Sequence, residues 1–199
     1  METGKEYHIY THANGFENLF REKENYRFFL KRYQDFIPPI ADTYTFCLMP
    51  NHLHLLIRIK NREDLEMTFG KFETDQKLEQ KLSKHFSNLF SSYTQSYNKV
   101  YRRRGSLFIP NFKRKEIASE NSLTRVMLYI HSNPVHHGFV KNLYDWHWSS
   151  YNAFNNDEWD WLKKAEVIEW FGGKEELIRI HQEYLKNKTS QKLETFGKF

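Results

Sequence analysis

YTFCLMPNHLHLLIRIK, residues 44–60, is two apolar runs that meet at a turn. Pro50 and Asn51 break the first run, and the second opens with His52, Leu53 and His54. Each run has the length of a strand, about 42–49 and 52–59. In a strand, side chains two apart share a face. His52 and His54 therefore project together, with Leu53 opposite. Two imidazoles side by side can hold one divalent cation. The plainer alternative is a pair of inert, hydrogen-bonded histidines on a half-buried strand.

Working outward, residues 7–12 (YHIYTH) are β-prone, with His8, Tyr10 and His12 on one face, and Asn14-Gly15 ends the run as a turn. His8 and His12 could approach a site, although solvated or structural histidines are the simpler expectation. Residues 22–36 carry Tyr26, Phe29, Leu30 and Tyr33 at helical spacing, and Pro38 and Pro39 stop the helix. On the other side, residues 61–80 are polar and charged, an exposed connection that is partly helical. Residues 81–101 repeat Leu82, Phe86, Leu89, Phe90, Tyr93 and Tyr97 as a long helix.

Residues 99–115 (KVYRRRGSLFIPNFKRK) hold seven Lys or Arg and no Asp or Glu. Lys99, Arg102, Arg103, Arg104, Lys113, Arg114 and Lys115 flank Leu107, Phe108, Ile109 and Phe112, expected as a short strand after Gly105. Cations around aromatic residues suit a phosphate backbone with room for base stacking. A solvated basic face is the alternative. Residues 119–131 form a further helix, capped by Ser119 or Asn121, with Tyr129 beside its apolar face and Asn133 four residues on. Pro134 disfavours the α conformation at Asn133, which places that residue in the last turn.

Trp146, Trp148 and Tyr151 are expected to pack the end of this domain against the sheet. Residues 156–199 read as a helical C-terminal extension to a domain of residues 1–155, with helices over 162–171 and 174–186 and a polar, Lys-rich, disordered end.

The 199 residues suit one domain with an extension, or two small domains, and aromatics at 17% must supply much of the core. The formal net charge of +5 makes a polyanion a plausible partner. The one cysteine, Cys47, lies in an apolar run, which excludes an internal disulfide and a Cys-rich zinc site. No run is long enough to span a membrane, and the start lacks a signal peptide, so a cytoplasmic protein with no membrane partner is expected.

These residues together support phosphoryl chemistry. A tyrosine can attack phosphorus, but a free phenol with a pKa of about 10 needs help. A cation on His52 and His54 would polarise the scissile phosphate, with the amide oxygen of Asn133 completing the protein ligands. Imidazole, amide and phosphate oxygen suit magnesium or manganese. The chain has twelve tyrosines, so spacing alone does not single out Tyr129.

At this point four segments resemble a known family. CLMPNHLHLLI resembles the strand–turn–strand of the single-tyrosine HUH transposases (His, bulky apolar, His). RRRGSLFIPNFKRK, LYIHSNPVHHGFV and YDWHWSSY resemble, in the same order, further segments of the REP-associated tyrosine transposases and their small insertion-sequence relatives. The match runs over residues 6–154. The resemblance implies an α+β, ferredoxin-like fold: an antiparallel sheet with helices packed on it. It implies that Tyr129 is the nucleophile, forming a 5′-phosphotyrosine on single-stranded or hairpin DNA, and that His52, His54 and Asn133 hold Mg2+ or Mn2+. Residues 99–115 would touch DNA, through Arg102, Arg103, Arg104, Lys113, Arg114 and Lys115.

One departure is clear. Relatives commonly carry Arg-Ala-Gly after Asn-Pro-Val, whereas His136, His137 and Gly138 stand here, with one arginine fewer near the site. Three functional readings follow: a DNA-cleaving and strand-transferring tyrosine transposase, a domesticated non-catalytic nucleic-acid-binding protein, and a metal-dependent nuclease that uses water. Relatives include both dimers and monomers, so a homodimer stays open.

Overall fold

The computed structural model describes residues 1–156 and 158–188. Four strands form one antiparallel sheet: β1 (Glu6–His12), β2 (Ala41–Met49), β3 (His52–Ile59) and β4 (Lys113–Ile117), in the order β2-β3-β1-β4. Helix α1 (Lys23–Phe36) links β1 to β2. Helices α2 (Arg62–Phe69) and α3 (Asp75–Val100) link β3 to β4. Each helical link passes over a strand that lies between the two it joins, which is the split βαβ repeat of the ferredoxin-like fold. The expected α+β class is therefore found.

The uniformly apolar β2 and β3 are covered on both sides. On one face Ile9, Phe46, Leu48, Leu53, Leu55 and Ile57 pack with Phe29 and Tyr33 of α1 and Leu82, Phe86 and Leu89 of α3. On the other, Tyr44, Cys47, Met49 and Leu56 pack with Leu123, Val126, Met127 and Ile130 of α4 (Glu120–His136). Burial holds the Cys47 thiol in its protonated form. Helices α5 (Lys164–Trp170) and α6 (Lys174–Lys188) add Val167, Phe171 and Leu177 to the same second core. The C-terminal helices thus share a core with α4. The polar end expected to be disordered lies outside the described residues.

The exposed edge of β2 is sealed by the segment that contains the tryptophans. Leu48 N–H donates to Trp148 O at 2.9 Å, Trp146 Nε1 donates to Leu48 O at 3.1 Å, and Trp148 stacks on Tyr26 at 4.5 Å. Further along, Lys163 N–H donates to Thr43 O at 2.9 Å. The opposite edge, β4, is uncovered, and Lys113, Arg114, Lys115 and Glu116 on it are all exposed.

Three expectations are corrected. The strand placed on residues 107–112 falls instead on residues 113–117. Leu107 and Phe108 are buried in the first core, and their segment meets the end of β1 in the isolated bridge Ala13–Phe108, with Asn14 N–H donating to Leu107 O at 2.8 Å and Ile109 N–H to His12 O at 3.0 Å, rather than in a strand. They are not free to stack on bases. The connection 61–80 is largely helical: Asn61 precedes α2, and the Thr74 hydroxyl accepts from Lys77 N–H at 3.2 Å to start α3 six residues early. Finally, α4 runs through Pro134 to His136. Pro134 has no N–H to give to Ile130 O, and the Asn133 side chain answers in part: Nδ2 donates to Tyr129 O at 2.8 Å and reaches Ile130 O at 3.5 Å.

Candidate active site

The register of the sheet builds the site. Tyr10 pairs with His54 and His12 with His52, so all four project from one face together with His8. That face is the one covered by α4. Tyr129 on α4 reaches the histidines edge-on, its ring centroid 5.5 Å from that of His54 and 6.0 Å from that of His8. The rings of His52 and His54 lie 5.2 Å apart. Asn133, one turn beyond Tyr129, is buried beside them. Strand β3 and helix α4 of one chain thus bring His52, His54, Tyr129 and Asn133 together.

Both members of the pair are held by their Nδ1 atoms. His52 Nδ1 bonds Asn51 Oδ1 at 2.8 Å, and an amide oxygen only accepts, so Nδ1 carries the proton and Nε2 keeps its lone pair. His54 Nδ1 lies 3.0 Å from His8 Nε2. His54 Nε2 is fully buried and has no hydrogen-bond partner among the described residues. With the shared proton on His54 Nδ1, that bare nitrogen is a lone pair rather than a stranded donor. An orienting partner on the far ring nitrogen is the usual second layer of a metal site.

Burial sets the charges. It lowers His52 to about 3, helped by His12 and His137, and lowers His8 to about 4, helped by Lys115. His54 falls well below the ordinary histidine range for the same reason, with its histidine neighbours adding to it. These imidazoles are neutral at pH 7 and need lose no proton to bind a cation. Burial raises Tyr129 above the ordinary phenol value, and a hydrogen bond from Asn133 opposes the rise. Asn133 Nδ2 also donates to the α4 backbone, and a hydrogen bond of its side chain on the histidine side favours protonated His52.

Among the described residues no three His, Cys, Asp or Glu side chains are grouped to hold a metal ion. Two imidazoles and a carboxamide do not make such a group, and the bare, buried Nε2 of His54 fits the donor set expected from the sequence.

Two residues were undervalued by the sequence. His8 is 5% exposed and touches His54 directly, and His12 stacks on His52 at 4.8 Å. Their shared face with Tyr10 was legible, but the register that carries that face to β3 was not. His137 stands exposed with its ring 5.1 Å from that of His52.

The basic residues divide. Lys113 and Lys115 pair in register with Tyr10 and His8 and so lie on the face of the site. Arg114 points to the other face and pairs with Glu79 at 3.4 Å. Arg103 is tied into its own loop, donating to Asn98 Oδ1 at 2.7 Å and Ser106 O at 3.1 Å. Arg102, in a left-handed backbone conformation at φ 51°, and Arg104 are exposed beyond the end of α3.

A ferredoxin-like sheet with a His-Leu-His strand facing a tyrosine helix is the arrangement implied by the resemblance to the single-tyrosine HUH transposases. Within that class the comparisons point to one group. The chain is 26% identical over 140 residues to a Haemophilus influenzae protein assigned by name to the REP-associated tyrosine transposases, covering 68% of this chain and 69% of that one. A solved structure described as a REP-associated tyrosine transposase bound to a REP hairpin superposes with a TM-score of 0.53 at 17% identity, covering 77% of this chain and 81% of that one. No protein-family profile matches the chain. The resemblance read from the sequence is borne out: in sequence and in fold the chain is similar to REP-associated tyrosine transposases. No helix among the described residues is long and apolar enough to cross a membrane.

Proposed function

We propose that the chain cuts and rejoins single-stranded hairpin DNA, with Tyr129 as nucleophile. The observation that carries this reading is the Tyr129 ring set edge-on to His54, 5.5 Å between centroids, beside a buried imidazole nitrogen with no partner among the described residues. Tyr129 Oη forms a bond to phosphorus as the bond to the 3′-oxygen breaks. The phenol gives up its proton, and the departing oxygen takes one up as a 3′-hydroxyl. One phosphodiester is exchanged for another, so a later hydroxyl can reverse the step without ATP.

His52, His54 and Asn133 would hold Mg2+ or Mn2+, which when bound polarises the phosphate and stabilises its developing charge. Asn133 also supports the tyrosinate against the upward pull of burial. Lys113 and Lys115, on the same face, hold neighbouring phosphates.

The test is a denaturing gel of the protein with labelled hairpin DNA and magnesium. A band that survives denaturation, and is absent from Tyr129→Phe and from reactions with EDTA, is the expected result. An adduct that persists in Tyr129→Phe rejects the nucleophile. Cleavage without an adduct favours a water-using nuclease. Binding with no cutting under any divalent metal favours a non-catalytic binding protein.

A further inference from the structure

The second core contains a buried polar thread that the proposed reaction does not use. His131 of α4 lies between Tyr129 and Asn133, two residues from each. At about 100° per residue, both stand roughly 160° around the helix from it. Its ring therefore leaves α4 on the side away from the site. It is 1% exposed, and both of its nitrogens are engaged. Nε2 lies 2.5 Å from the Thr45 hydroxyl on β2 and 2.8 Å from the Ser150 hydroxyl, and Nδ1 lies 2.8 Å from His181 Nε2 on α6. The two hydroxyls are 2.7 Å apart, and that of Ser150 accepts from Phe46 N–H at 2.9 Å, which fixes them to the sheet. His181 Nδ1 is fixed in turn by Leu177 O at 2.7 Å. Tyr184, three residues on along α6, adds a hydrogen bond to Ser132, the next residue of α4.

The rest of α4 is held differently. Leu123, Val126, Met127 and Ile130 grip the second core by apolar contact, which has no direction and tolerates a helix that turns or slides. Short hydrogen bonds from both edges of one ring do not tolerate it. For stability alone, apolar side chains of the same shape would serve as well in a dry core. A helix that presents a phenol and an amide to histidines on a separate strand has a stricter need. Reacting groups work within about 0.5 Å and 10–20° of the productive geometry.

We propose that His131 and His181 are positioning residues: through them α6 fixes α4 at the rotation that sets Tyr129 and Asn133 against His52 and His54. A helix that contributes no group to the proposed chemistry thereby governs its rate. The inference rests on the reading of the chain as a strand-transferring enzyme with Tyr129 as nucleophile.

Three variants separate positioning from stability: His181→Leu, His131→Leu combined with His181→Leu, and His181→Gln. Each is measured for melting temperature, hairpin affinity by fluorescence anisotropy, Mn2+ affinity by titration calorimetry, and single-turnover adduct formation at a temperature where all are folded. His181→Leu strands the His131 N–H and melts about 5 °C lower. The double variant removes both partners and regains most of that loss. Its adduct rate nevertheless stays down by about tenfold or more, with hairpin affinity unchanged. Mn2+ binds it about tenfold more weakly, because Asn133 turns with α4. His181→Gln, whose amide oxygen accepts in place of Nε2, forms adduct at close to the original rate. A double variant as fast as the unmodified protein, or a rate that recovers in step with the melting temperature, overturns the proposal and makes the pair a packing contact. Adduct formation by the unmodified protein beside that result leaves the cleavage reading intact. No adduct from the unmodified protein, with Mn2+ affinity lost in the double variant and kept in His181→Gln, rejects the cleavage reading and keeps the positioning role. A protein that neither binds Mn2+ nor forms an adduct rejects both.

Discussion

His54 has one ring nitrogen held and the other bare, and His8 is what holds it. The role of His8 is positional: it touches neither phosphate nor cation in the proposed reaction, yet it decides which nitrogen of His54 keeps its lone pair. Changing such an outer partner typically costs ten- to a hundredfold in metal affinity. His8→Gln should therefore weaken Mn2+ binding by about that factor, measured by titration calorimetry, while hairpin binding without metal stays near its original strength. Unchanged Mn2+ affinity would return His8 to the status of a packing residue. His52 and His54 were legible in the sequence because a period of two is local. His8 was visible only as a face without a neighbour, since its partner lies 46 residues away and is fixed by a register that no local pattern encodes. Tyr129 shows the other limit. Spacing did not separate it from eleven other tyrosines, and it stood out through the resemblance before the geometry put it beside His54.

Helix α4 is tied to α6 by a pair of buried histidines, and the direction of every proton between them can be read. His181 Nδ1 lies 2.7 Å from Leu177 O, which only accepts, so this nitrogen carries the proton. His181 Nε2 must then accept from His131 Nδ1 at 2.8 Å, and His131 Nε2 is left to accept from the Thr45 or Ser150 hydroxyl, at 2.5 and 2.8 Å. Burial lowers His181 to about 4 and His131 well below its ordinary range, with each other's proximity adding to the effect on His131. Between about pH 6.5 and 4 the unfolded chain takes up protons on these residues that the folded chain refuses. The stability they contribute is full above pH 6.5 and is lost as the pH falls toward 4. Urea unfolding across that range should show it, with His181→Gln reducing the slope by about 1.4 kcal/mol per pH unit. A variant as steep as the original would mean that His181 is charged or solvated in the fold. The two C-terminal helices were readable from their apolar spacing, but not their junction with α4. Elsewhere local pattern misled. Apolar residues 107–112 looked more strand-like than the charged Lys113–Ile117, which forms a strand because β1 offers it an edge.

At the scale of the molecule, one chain contains the histidine pair, the amide and the tyrosine on a single face of a single sheet. A mixture of Tyr129→Phe and His54→Ala proteins should therefore form no adduct, because neither copy can lend the missing group. Restored activity in the mixture, read on the same denaturing gel, would show that the tyrosine helix is exchanged between copies. The overall architecture was the most legible property of all, since two adjoining apolar runs and two long amphipathic helices leave few ways to cover both faces of a sheet.

The two edges of that sheet have unequal futures. One is closed by the chain's own backbone at Trp148 and Lys163; the other ends in a row of exposed charges. A bare edge is a template on which another copy could add a strand, and strand upon strand is how sheets become fibrils. Here a second β4 would bring Lys113, Arg114 and Lys115 against their own likenesses. Three cations in a row refuse a sibling. The protein can leave that edge uncovered without leaving it open to aggregation.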